Sequence, residues 1–157
     1  EAVEPLGPAF AAQPLEELLV DYTQLFLGPV QAPAAPYGSV WIEGPGALMR
    51  DSTIAAQRCY EAGGFDLAEE FRDLPDHVAA ELEFVYQLLF REAAALRNGE
   101  PPVAAAARSL RERFLREHLA RWVPAFTAAV EQHARTGFYR TLARATAAFV
   151  ASEAARG

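Results

Sequence analysis

Apolar residues recur every three or four positions along most of this chain, and no segment alternates apolar with polar as a half-buried strand would. Leu15, Leu18, Leu19, Tyr22, Leu25 and Phe26 give one apolar face to a helix that Pro14 opens and Gly28-Pro29 ends. Asp51-Ser52-Thr53 is a good helix start, because a short polar side chain accepts from a free N–H there, and Gly63-Gly64 stops that helix near Ala62. Leu74 precedes a proline and so disfavours helix, which makes Pro75 the expected first residue of the next one. Val78, Leu82, Val85 and Leu89 form its buried stripe, with Phe84 and Leu88 beside it, and Asn98-Gly99 closes it. Pro101-Pro102 opens an alanine-rich helix through Leu110, Phe114 and Leu115. Pro124 marks a break or kink after Trp122, and two more helices are expected over about 124–135 and 138–155, split by Gly137.

Two stretches lack a period. Residues 1–13 carry Pro5, Gly7 and Pro8 and are expected to be a loop. Residues 29–47 hold four prolines and three glycines, a long connection of the kind that is functional or mobile. That connection also carries Tyr37, Val40, Trp41 and Ile42, which a solvated linker would not. The pattern therefore predicts an all-α, single-domain bundle of about six helices over residues 1–157, with a long Pro/Gly loop after the first.

Charge adds a second layer. Residues 61–83 hold eight acids and one arginine, a local charge of −7, while the rest of the chain balances to zero. The whole net charge is thus gathered around one helix entrance, and such a field suits a cationic partner. Residues 1–83 sum to −12 and residues 84–157 to +5, which favours contacts between the two parts. An acidic chain without lysine, and without a glycine loop leading to one, points away from nucleic acids and nucleotides. The lone Cys59 has no intramolecular disulfide partner and leans toward a reducing compartment. No run reaches the ~20 apolar residues of a membrane span, so no membrane insertion is expected.

Candidate chemistry is sparse. His77, His118 and His133 lie far apart, and none stands at a ligand spacing from Cys59, so neither a metal nor another cofactor is expected. Asp76-His77 could serve a hydrolase or nucleotide enzyme as an acid–base pair. Neighbours on a helix point about 100° apart, however, and no nucleophile is placed by sequence, so no catalytic residue is assigned. The plainer reading has Asp76 complementing a helix N-terminus and His77 packing or bonding a loop carbonyl. Trp122 reads as core. Tyr37 and Trp41, in a Pro/Gly loop, divide evenly between core and binding surface.

Three ordered blocks resemble one family, the TorD/DmsD-type chaperones of molybdoenzyme maturation, with most likeness to the DmsD branch. The first runs Tyr22-x-x-Leu25-Phe26-x-Gly28, then Ala35-Pro36-Tyr37-Gly38-Ser39-Val40-Trp41, then Asp51-Ser52-Thr53. The second is Leu74-Pro75-Asp76-His77 with Leu82-x-Phe84, and the third runs from Phe114-Leu115 through His118, Trp122, Pro124 and Phe126 to Phe138-Tyr139. Two departures stand out: a helical segment usual before the first block is missing, as in a truncated start, and Asp73 stands where the family often has Glu.

The resemblance implies an all-helical, cytoplasmic, non-enzymatic chaperone. Its partner would be the twin-arginine leader, or N-terminus, of an unfolded molybdenum-cofactor oxidoreductase, held until the cofactor is loaded and export can proceed. By the same resemblance Pro75, Asp76 and His77 would line the leader-binding region, with Tyr37 and Trp41 nearby. Chemistry assigns roles within it. Asp76 is expected to be the anion for a leader arginine, since carboxylates take guanidinium bidentately. Glu69, Glu70 and Asp73 form a steering field, Pro75 and His77 shape the helix entrance, and Tyr37 and Trp41 meet the apolar part of the leader. Three alternatives stay open: a chaperone for a non-exported reductase subunit without twin arginines, an enzyme using Asp76-His77, and a helical adaptor. A homodimer is compatible with a helical fold carrying a long hinge loop.

Overall fold

A computed structural model describes residues 5–27 and 32–156. Eight α-helices appear among them: α1 Leu6–Ala11, α2 Leu15–Phe26, α3 Gly38–Ile42, α4 Asp51–Gly63, α5 Val78–Asn98, α6 Pro101–Phe114, α7 Ala120–His133 and α8 Gly137–Ala154. A five-residue π turn, Leu115–Leu119, joins α6 to α7. The described residues contain no strand; an isolated antiparallel bridge pairs Tyr37 with His77. The fold is all-α, as the periodicity predicts. The expected helix stop at Gly28-Pro29 lies outside the described residues.

The helix ends follow their sequence chemistry. Gly64 and Gly99 close α4 and α5 in the left-handed conformation, at φ 63° and 72°, where a side chain would be strained. Pro101 and Pro102 sit in the first turn of α6, where a missing N–H costs nothing.

Four expectations need correction. Residues 6–11 are helical, because the short α1 is held from outside: it packs on α8, with Phe10 edge-on to Phe138 at 5.3 Å. The 29–47 connection contains α3, which packs on α4 and α7. Pro75 does not start α5. It sits in a turn closed by the His77 N–H donating to the Leu74 carbonyl at 3.0 Å, and the helix begins at Val78. Pro124 does not open α7 either. It lies inside that helix, and the irregularity falls upstream in the π turn.

The core gathers Trp122, Phe84, Phe114, Tyr60, Leu25, Leu88, Leu115 and Leu119, all nearly or fully buried. Tyr60 stands at its centre, with ring centroids 4.8 Å from Phe84 and 5.9 Å from Phe114. On α5 the buried face is Ala80, Glu81, Phe84, Val85, Leu88, Glu92 and Ala95. That face is rotated from the predicted stripe, so Val78, Leu82 and Leu89 are only half-buried. The rotation carries two acids inward. On α2 the buried residues are Leu18, Asp21 and Leu25, while Leu15, Leu19 and Tyr22 stay exposed.

Candidate functional site

The connection and the start of α5 are stitched together edge to edge. The Val78 N–H donates to the Pro36 carbonyl and the Gly38 N–H to the Asp76 carbonyl, both at 2.9 Å. Tyr37 and His77 thus form the closely spaced pair of an antiparallel bridge, with rings edge-on at 5.4 Å. Below them the Tyr60 hydroxyl donates to the Pro75 carbonyl at 2.6 Å.

Asp76 holds this junction. Its side chain is fully buried (0%), and Oδ2 accepts from the Ser39 N–H at 2.8 Å, near the start of α3. Oδ1 and the Ser39 hydroxyl find no hydrogen-bond partner among the described residues. His77 caps α5: Nδ1 accepts from the Ala79 N–H at 3.1 Å, which leaves the proton of the neutral ring on Nε2. That nitrogen stands 3.9 Å from Asp73 Oδ2. Burial pushes the His77 pKa down, against the pull of Asp73 and Asp76, so the ring favours its neutral form. Because Asp76 and His77 are each committed to a backbone amide, they do not form an acid–base pair.

The remaining expected residues divide by depth. Tyr37 is half-buried; burial and then the Asp73 carboxylate raise its pKa to about 12. Trp41 is half-buried, with its N–H donating to the Ala35 carbonyl at 2.8 Å and its ring edge-on to Phe126. Pro75 is half-buried, while Glu69, Glu70 and Asp73 are exposed. No arginine pairs with the 61–83 acids among the described residues; the ion pairs there use Glu92, Glu131 and Glu153, and the Asp73–His77 contact is ionic only if His77 is protonated.

An apolar groove of about 310 Å³ opens beside His77. Tyr22, Phe26, Pro36, Leu82, Phe126 and Tyr139 supply much of its wall, drawn from four helices and the connection. The sequence pattern put Tyr22, Phe26 and Leu82 on apolar helix faces, since periodicity marks such a face without saying whether a neighbouring helix covers it, and gave Pro36, Phe126 and Tyr139 no place in a groove. Beneath the junction lies Glu81, also missed. It accepts from the Trp122 indole N–H at 3.1 Å, and burial raises its pKa well above the usual 4.5, which favours its neutral form.

Residues 1–128 match the family described as nitrate reductase delta subunit. The chain belongs to this family. Family relatives include the Tat proofreading chaperone DmsD of Salmonella typhi, 30% identical over 142 residues, 90% of this chain and 63% of that protein. Another is the chaperone protein TorD of Photobacterium profundum, 27% identical over 88% of this chain and 63% of that protein. The selenate reductase assembly chaperone protein of Thauera selenatis is 42% identical over 76 residues, 47% of this chain and 37% of its own length. The chain therefore spans less than two thirds of these relatives, all of which are named as chaperones and none as an enzyme.

The fold also brings together a pair that spacing did not suggest. Cys59 Sγ lies 3.8 Å from His118 Nε2, on the π turn, with the His118 ring stacked on Phe114. Among the described residues no third His, Cys, Asp or Glu joins them as a metal site would need. No described helix is long and apolar enough to cross a membrane.

Proposed function

We propose that this chain is a cytoplasmic chaperone that binds the twin-arginine leader, or N-terminus, of a molybdenum-cofactor oxidoreductase and holds it until the cofactor is inserted, before export. The observation that carries the reading is an apolar groove at the mouth of an acidic segment whose carboxylates have no arginine partner among the described residues. A leader offers two guanidinium groups followed by an apolar stretch, and the two surfaces complement those two parts in turn. His77 lines the groove, Tyr37, Pro75 and Asp76 build the junction beside it, Trp41 packs on the groove residue Phe126, and Glu69, Glu70 and Asp73 supply the negative field. The names of the relatives support the same class of function. An extended ligand that must order on binding loses affinity to that ordering, which suits a chaperone that has to release.

Calorimetry with a synthetic peptide of two adjacent arginines and an apolar stretch tests the proposal. Affinity should fall several-fold as salt rises toward ~1 M, where the screening length shrinks to about 3 Å. Binding that ignores salt would leave the groove alone carrying affinity. Equal binding of a peptide with both arginines replaced by glutamine would favour a client without the twin-arginine motif. No binding of either peptide would sink the reading.

A further inference from the structure

We infer that the carboxylate meeting a leader arginine is Asp73, and that Asp76 is a positioning residue. The inference rests on the leader reading above and assigns its polar contact. Asp76 is the residue that sequence favours, but its geometry is that of a staple. The side chain is fully buried, with Oδ2 on the Ser39 N–H and the main-chain carbonyl on the Gly38 N–H. Backbone closes over it: Gly38 and Ser39 are themselves buried, and a Cβ on Gly38 would lie 3.0 Å from the Trp122 indole nitrogen. A guanidinium from outside reaches Asp76 only by dismantling the junction that shapes the groove.

Asp73 lies three residues earlier, ahead of the helix, and has the complementary properties. Its side chain is 39% exposed. Oδ1 accepts from the Leu74 N–H at 3.0 Å, which fixes the carboxylate's direction. Oδ2 stands 3.9 Å from His77 Nε2, beyond hydrogen-bond length, so the imidazole does not occupy it, and a carboxylate with about four acceptor sites can take a guanidinium beside its bonds to Leu74 and Tyr37. The Asp73 carboxylate also faces the Tyr37 hydroxyl, whose pKa it raises by hydrogen bonding and by charge, and the His77 ring beside it lines the groove. The Tyr37 and Phe71 rings both lie edge-on to His77, at 5.4 and 6.0 Å. Asp73 is thus a held, accessible anion next to His77, which lines the apolar groove, so an arginine on Asp73 lies within reach of a chain whose apolar part fills that groove. Glu69 and Glu70 are exposed and make no such contacts, so they attract without orienting.

Double-mutant cycles read by calorimetry decide the assignment, using the twin-arginine peptide and its double-glutamine counterpart. Asp73→Asn should weaken the arginine peptide about tenfold and leave the glutamine peptide unchanged, because both changes remove one charge-assisted contact. Asp73→Glu should recover most of that loss. Asp76→Asn should weaken both peptides by the same factor, well below its lowered melting temperature, since it loosens the groove and touches no arginine. The reverse pattern, additive for Asp73 and non-additive for Asp76, would overturn the assignment. If Asp76→Asn does not fold, the Asp73 cycle stands by itself, and additive losses in it suffice to reject the proposal. Wild-type protein that binds neither peptide would remove the leader reading itself and this inference with it.

Discussion

Glu81 is an acid inside an apolar core, and its protonation follows from its surroundings. It is nearly inaccessible and its neighbour Asp76 adds negative charge, and these outweigh the Trp122 bond, which favours the charged form, so its pKa is raised and the protonated acid is favoured. A folded pKa above the unfolded one means that the native state holds a proton which the unfolded chain releases. Stability from this group is therefore full below the unfolded value, near 4.5, and is lost as pH rises toward the folded pKa. Glu81→Gln keeps the shape and an acceptor for Trp122 without the ionisation. Its melting temperature should equal or exceed that of the wild type, with a gap that widens from pH 5 to pH 8; thermal melts across that range check it. Burial lowers the pKa of His77 and of His118, and these work the other way, removing stability as pH falls below about 6.5. Asp21 is another buried acid, with its carboxylate accepting from the Arg135 and Thr136 N–H groups and from the Thr136 hydroxyl at 2.7–3.1 Å. It ties α2 to the start of α8, as Asp76 ties α3 to α5.

At the scale of elements, α3 is too short to be stable alone, and its contacts explain why it forms. Asp76 takes the Ser39 N–H, Trp41 packs on Phe126, and Glu43 reaches forward to accept from the Ser52 N–H and hydroxyl at the start of α4. Gly38 is required for close approach. A methyl there would lie 3.0 Å from Trp122 Nε1 and 3.4 Å from Glu81 Oε1, and the indole is fixed by its bond to that acid. Gly38→Ala should cost roughly 1–3 kcal/mol, the usual penalty of overpacking, measured by urea unfolding. It should also weaken peptide binding, since the junction forms one wall of the groove.

Across the whole molecule, the charge asymmetry does not act as expected. Every arginine–carboxylate pair among the described residues lies within residues 84–157, and none joins the two parts of the chain. Across the parts, Arg91 donates instead to the Gly63 carbonyl at 2.6 Å. The buried pairs centre on Arg111, which bonds Glu153 at 2.7 Å and Glu92 at 3.1 Å and so joins α5, α6 and α8. Arg111→Met would leave two buried carboxylates without their shared cation and should cost about 3–5 kcal/mol, read as a lower urea midpoint. Peptide affinity per folded molecule should not change, because this network lies away from the groove. With the internal arginines occupied elsewhere, the exposed acids of this segment, Glu69, Glu70 and Asp73 among them, keep their charge for a partner, while Asp76 and Glu81 are buried.

The sequence by itself determined the six long helices and many of their ends, while α1, α3 and the starts of α5 and α7 escaped it. The signals there are local: a three-to-four-residue period, proline in a first turn at Pro101, and glycine in the left-handed conformation at Gly64 and Gly99. It also marked the Pro36–Trp41 and Asp73–His77 stretches that the fold brings together. Tertiary structure decided depth. Asp76 and Asp73 differ little as residues in a row, yet one is sealed beneath the Gly38-Ser39 backbone and the other faces water. Neither the inward turn of Glu81 and Asp21 nor the opening between Tyr22, Leu82 and Tyr139 has a local signature. Each depends on which face of a helix its neighbours cover, and that is set by partners distant in the chain.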